Sequence, residues 1–216
     1  MRIERLVVPA PGRTDFTNNV WIVGDDAEVV VVDAAHDGDA IADAVGDRRV
    51  VATLVTHGHW DHVGAAPRLR ARTHAPVLLH AADRTLWHES LVDAPDGELT
   101  DGLRLAVAGG EVEVRHTPGH TPGSCVVVAW PEGGEGDGEE QRGAARPLAV
   151  MTGDTLFHGG PGATRWPYSS FEGIVASIRE RLLVLPPETP VHTGHGEDTT
   201  IGAEAADVAA WLARGW

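Results

Sequence analysis

The segment Thr56-His57-Gly58-His59-Trp60-Asp61-His62-Val63-Gly64 sets three imidazoles and one carboxylate within six consecutive residues, a density that an ordinary polar loop has no use for. Neutral imidazole nitrogens and carboxylate oxygens hold a borderline divalent ion such as Zn²⁺ at about 2.0–2.2 Å, so a tight turn that aims several of them at one point makes a metal site. Gly58 is read as the source of the backbone freedom that such a turn demands. Before it, Val50 to Val55 is apolar and β-branched, the pattern of a buried strand; after it, Ala65 to Arg72 suits a helix. A strand end therefore delivers the ligands. His57 and His59 form one pair, and Asp61 with His62 can serve a second ion beside it.

The rest of the chain alternates strands and helices. Ile3 to Val8 reads as an edge strand broken by Pro9, Pro11 and Gly12, and Asn18 to Val23 with Glu28 to Asp33 reads as a hairpin turned at Gly24-Asp25-Asp26. A short helix over Asp39 to Val45 stops at Gly46, a strand covers Pro76 to His80, and a helix follows from Ala81 to His88. Leu103 to Val107 and Glu111 to His116 form a second hairpin, with one wet face expected from the alternation of Val112 and Val114 with charged residues. Ser124 to Trp130, Leu148 to Thr152 and Val191 to Thr193 complete the strands. Ser169-Ser170 caps a helix from Phe171 to Leu183, and Ala203 to Ala213 is a final helix. Strands in two runs, each closing with helices, predict an α/β chain: an αββα sandwich of two mixed β-sheets flanked by helices, in one domain spanning 1–216. The acidic, Gly-rich insertion within 131–147 has almost no apolar content and is expected to be a mobile hairpin tip.

The pattern His-x-His-x-Asp-His-x-Gly resembles the signature of the metallo-β-lactamase fold superfamily, and three further segments carry the likeness in order: Thr117-Pro118-Gly119-His120-Thr121, Gly153-Asp154-Thr155-Leu156-Phe157 and Gly194-His195-Gly196. They are most similar to those of the glyoxalase II-like hydrolases. The resemblance implies that His57, His59 and His120 hold one metal, that Asp61, His62 and His195 hold a second, and that Asp154 bridges them. It also implies two Zn²⁺ per chain, with iron or manganese as alternatives, and a supporting role behind the ligands for Asp33. His36 is read as a loop residue, His80 and His88 match no ligand motif and are left out of the site, and His116 is read as structural. Two ions sharing Asp154 would acidify the water between them, so the implied activity is hydrolysis by a metal-bridging hydroxide, with Asp61 and Asp154 as catalytic carboxylates.

A thioester of a low-molecular-weight thiol is the substrate class that this likeness suggests; a mononuclear iron persulfide dioxygenase on His57, His120 and Asp154, or a lactonase using Tyr168, is the alternative. Relatives with such motifs continue with Gly-Arg-Thr-Asp, where this chain has Gly162-Ala163-Thr164-Arg165, so recognition is expected to differ. Arg165, Trp166 and Tyr168 are the candidate substrate-binding residues. A net charge of −15 disfavours nucleic acid and anionic membrane as partners and leaves a small molecule. One cysteine, Cys125, in a strand-like run reads as core, and an opening without a long apolar run gives a cytoplasmic expectation.

Overall fold

The computed structural model describes residues 1–132 and 146–215, so most of the acidic insertion expected to be a hairpin tip lies outside the described residues. One sheet contains Arg2–Pro9 (β1), Thr17–Gly24 (β2), Glu28–Val32 (β3), Arg49–Val55 (β4), Val77–Leu79 (β5) and Gly97–Glu98 (β6), side by side in chain order. The other contains Arg104–Val107 (β7), Gly110–His116 (β8), Cys125–Trp130 (β9), Ala149–Gly153 (β10), Pro190–Thr193 (β13) and Thr199–Thr200 (β14), in the order β14-β13-β10-β9-β8-β7. Leu156–Phe157 (β11) and Gly160–Pro161 (β12) form a small separate ribbon. Both large sheets are mixed: β3, β4, β5 and β6 run parallel after an antiparallel β1-β2-β3 edge, and β10 pairs in parallel only with β13.

Period-two alternation explains the layering. On β3, Val29 and Val31 face the outer helices while Val30 and Val32 face the opposite sheet; β2 divides Val20 and Ile22 from Trp21 and Val23 in the same way. On β9, Val127 and Ala129 enter the space between the sheets and Val126 and Val128 face the other helical layer. Strands buried on both faces need unbroken apolar runs, which is why these read as continuous valine stretches. A one-residue slip would move every side chain to the wrong layer, and each fully buried valine is worth about 1.5–3 kcal/mol, so register is strongly fixed.

Helices Gly38–Val45 (α1), Ala66–Thr73 (α3) and Arg84–Ser90 (α4) cover the first sheet through Ile41, Val45, Leu69 and Trp87. A one-turn helix, Trp60–Val63 (α2), lies within the ligand loop itself. The second sheet is covered by Phe171–Ser177 (α5), Ile201–Ala205 (α6) and Val208–Arg214 (α7). The Ser170 hydroxyl caps α5 as expected, accepting from the Gly173 amide, and the helix continues as a π-helical segment over Ile178–Leu182. The single last helix expected from Ala203 is two short ones. Ile201 and Trp211 both enter the same core, but ten residues apart on one straight helix they would point about 80° from each other. Among the described residues no helix is long and apolar enough to cross a membrane.

Candidate metal centre

The two sheets meet at one end, and every ligand motif sits there. The Asn19 amide donates to Gly194 O at 2.8 Å, the Cys125 amide to Thr56 O at 2.8 Å, and the Gly194 amide to Gly153 O at 2.9 Å. These bonds stitch together the end of β4, the start of β9, and the ends of β10 and β13. His57, His59, Asp61 and His62 follow β4, His120 precedes β9, Asp154 follows β10 and His195 follows β13.

The seven side chains converge. Three overlapping triplets, His57–His59–His120, His57–His62–Asp154 and Asp61–His62–His195, each bring their ligand atoms within 4.8 Å of one another. In the first, His59 Nδ1 lies 3.0 Å from His57 Nε2 and 3.1 Å from His120 Nε2. A tetrahedral ion with Zn–N bonds of about 2.0–2.1 Å spaces its nitrogens by roughly 3.3 Å, close to what is found. In the third, His62 Nε2 and His195 Nε2 are 3.3 Å apart, and His195 Nε2 is 3.2 Å from Asp61 Oδ2. Asp154 lies between the sets, with Oδ1 at 3.2 Å from His62 Nε2 and Oδ2 at 3.7 Å from His120 Nε2.

The outward-facing nitrogens fix the tautomers. His120 Nδ1 donates to Ala163 O at 2.8 Å, His195 Nδ1 to Thr17 O at 2.8 Å, and His62 Nδ1 to Asp33 Oδ2 at 2.8 Å. His57 Nδ1 donates to the Thr56 hydroxyl at 3.1 Å, which passes its own proton to Asp33 Oδ2 at 3.0 Å. His59 is reversed: Nδ1 faces the cluster and Nε2 meets the Tyr168 hydroxyl at 2.9 Å. Four rings have their proton committed outward by their acceptors, and with His59 donating from Nε2 to Tyr168 all five nitrogen lone pairs point inward at two carboxylates. In the neutral form that binds metal, His62 Nε2 has no proton for Asp154, whose buried Oδ1 has no hydrogen-bond partner among the described residues. Acceptors facing acceptors in a buried place need a cation between them, so this donor set fits a pair of divalent ions.

The electrostatics differ between the two sets. Burial, with the neighbouring imidazoles, pushes His57 well below the usual imidazole range and lowers His59 to about 4; burial likewise lowers His120. Burial opposes charge on His62 too, but Asp33, Asp154 and Asp61 together carry it well above 6.5, and Asp61 raises His195 against its burial. Burial works against both carboxylates, yet His62 above all holds Asp61 far below its ordinary range and Asp154 down to about 2. Without an ion, the second set keeps a proton where the first does not.

Several residues around the centre were not legible beforehand. Asn18 is fully buried, with Nδ2 at 3.2 Å from Asp61 Oδ2 and Oδ1 accepting from His36 Nε2 at 2.6 Å. His36, read as a mere loop residue, thus braces the second set. Asp33 is the exception, a support that the resemblance had implied: it ends its strand at φ 68° and backs one histidine of each set, His62 directly and His57 through Thr56. Gly58 takes no positive φ; what requires glycine there is space, because a Cβ would lie 2.8 Å from Asp83 O and from Leu86 Cβ. His80 and His116 stack on each other at 4.1 Å between ring centroids, and buried Cys125, its thiol pushed well up by burial, is core as read.

Of the three candidate substrate residues, Trp166 and Tyr168 touch the first set and Arg165 reaches it only through the Trp166 ring. Trp166 packs on His59 and His120 at 4.7 and 5.2 Å between centroids, Tyr168 stacks parallel to Trp166 at 6.1 Å, and the Arg165 guanidinium lies 4.9 Å above the Trp166 ring. Facing them across the mouth, Phe16 packs on His195 at 5.2 Å beside the half-exposed Trp60.

Residues 13–134 match the model of the metallo-beta-lactamase superfamily. Hydroxyacylglutathione hydrolase GloC of Haemophilus influenzae is 31% identical over 221 residues, which cover 94% of this chain and 95% of that protein. Among solved structures, BLEG-1 B3 metallo-beta-lactamase has a TM-score of 0.75 at 28% identity, covering 95% of this chain and 97% of its own. TTHA1623, in a di-iron-bound form, has a TM-score of 0.69 at 30% identity, covering 89% and 94%.

Proposed function

The chain belongs to the metallo-beta-lactamase superfamily, and from that premise we propose that it is a dinuclear metal-dependent hydrolase acting on a thioester of a low-molecular-weight thiol. The observation that carries the dinuclear reading is the double cluster itself, seven ligand side chains whose imidazole protons all turn outward. His57, His59 and His120 would hold the first ion, Asp61, His62 and His195 the second, and Asp154 both. Two divalent ions there supply a Lewis acid for a carbonyl and a water acidified toward neutral pH. The thioester reading is supported by the hydroxyacylglutathione hydrolase relative, which aligns over nearly the whole chain.

This chain's own residues would do the remaining work. Asp61, kept ionised by the histidines around it, would orient the attacking water as a hydrogen-bond acceptor, and Asp154, likewise ionised, would hold the two ions in place. Trp166 covers the rings of His59 and His120 and excludes solvent from that side. Because His59 faces the cluster through Nδ1, its Nε2 proton is donated to the Tyr168 oxygen, and the phenol's own proton is left free for an oxygen or sulfur of the substrate. Arg165 offers a cation to a substrate carboxylate.

The test is a panel of S-acyl thiols assayed with metal analysis and an oxygen electrode. About two ions per chain and thiol release without oxygen uptake is the expected result. One iron per chain, with oxygen consumed on a low-molecular-weight persulfide and no thioester turnover, would replace the hydrolase with the mononuclear dioxygenase reading.

A further inference from the structure

Asp83 stands outside the ligand set, at the N-terminal end of α4, yet it is fully buried and its carboxylate receives hydrogen bonds from two ligand loops. The Gly58 amide donates to Oδ2 at 2.8 Å, the Thr121 hydroxyl donates to the same oxygen at 2.6 Å, and the Gly123 amide donates to Oδ1 at 2.6 Å. Gly58 lies between His57 and His59, and Thr121 directly follows His120. We propose that Asp83 is the positioning residue of the first metal site: it fixes the distance between the His57–His59 turn and the His120 loop.

A carboxylate suits this place because it is acceptor-only, with two oxygens that take several donors at once, whereas an amide has one oxygen and would turn an N–H toward donors. The approach is as close as the backbone allows. A Cβ on Gly123 would lie 2.6 Å from Asp83 Cγ, and one on Gly58 would lie 2.8 Å from Asp83 O. The contact that depends on this spacing is His59 Nδ1 to His120 Nε2, 3.1 Å between residues 61 positions apart. The second set rests on other supports, Asp33 for His62, Thr17 O for His195 and Asn18 for Asp61. Asp83 therefore acts on one site and not the other.

The inference rests on His57, His59 and His120 being ligands, and the experiment separates the two claims. Apo protein is titrated with Co²⁺ against a chelator, reading stepwise affinities and the visible absorption of each site, for wild type, Asp83→Asn and Thr121→Val. Asp83→Asn is expected to weaken the first site by about 10–100-fold and alter its absorption bands with the second site unchanged, the range seen when partners behind metal ligands are removed. Thr121→Val, which removes one donor and keeps the carboxylate, should weaken the same site by less. Unchanged first-site affinity in both variants overturns the proposal, as does parallel loss at both sites with a lowered melting temperature, which would make Asp83 a general structural residue. Wild type that binds fewer than two ions refutes the ligand assignment instead.

Discussion

His62 carries the clearest consequence of the unequal electrostatics. Its elevated pKa means that protons compete for its ring above 6.5, while His59, lowered to about 4, stays neutral in mildly acidic solution. A group raised in the apo fold must lose its proton to bind metal, so affinity falls as pH drops through that raised value. Metal content followed by dialysis from neutral pH down to about 4 should fall from two to one before it falls to none, the second site emptying first. Both ions leaving together would contradict the assignment. His62→Ala should likewise empty the second site in neutral buffer and leave close to one ion per chain by elemental analysis; wild-type content would remove His62 from the ligand set. All seven side chains that the structure brings together were marked in the sequence, because residue type and spacing suffice to single out imidazoles and carboxylates. Of their supports only Asp33 was. Two of the five outer partners are main-chain oxygens, Thr17 O and Ala163 O, which no side-chain pattern marks, and Asp83 and Asn18 are single residues with no motif around them.

Among the elements, the connection from β12 to α5 carries the candidate substrate residues Arg165, Trp166 and Tyr168. It is anchored at both ends: Ala163 O accepts a hydrogen bond from His120 Nδ1, the Ser169 hydroxyl donates to His120 O at 2.9 Å, and the Ser170 amide donates to Gly119 O at 2.8 Å. Between these anchors Trp166 packs over the first set and Arg165 stacks on Trp166, while Thr164, Arg165 and Phe171 line a groove of about 550 Å³. Arg165 is exposed and its contact within the loop is the Trp166 ring. Arg165→Ala should therefore lower kcat/KM for an anionic thioester by about 1–3 kcal/mol, the size of a charge-assisted hydrogen bond, with melting temperature and metal content unchanged. An unchanged kcat/KM would leave this loop as packing alone. Element existence was read well because buried strands and caps carry strong local signals. The break between α6 and α7 was not, since it answers to Ile201 and Trp211 reaching one core, a demand that appears only in three dimensions.

At the scale of the whole molecule, the centre is also the place where the two sheets are joined. Helices cover the outer faces of both sheets and the Val-rich interior holds them together, but at this end the joint is a set of main-chain bonds between loops, among them Asn19 to Gly194 and Cys125 to Thr56. Those loops carry inward-facing lone pairs and, with Asp33, three carboxylates, in a chain whose net charge is already −15. An ion bound only by the folded chain stabilises it by mass action, about 4 kcal/mol at a thousandfold excess over its dissociation constant. For a domain of this size each ion removed by a chelator then corresponds to a fall in melting temperature of roughly 8–16 °C, at about 2–4 °C per kcal/mol. The loss should be local before it is global. Amide exchange is expected to rise first at Gly58, Gly194 and the residues around His120, while the amides of β3 and β9, with valines buried on both faces, keep their protection. Chelation that removed both ions yet left melting temperature and exchange unchanged would mean that the inward-facing ligands are held by the protein alone, and that the centre contributes nothing to the joint between the sheets.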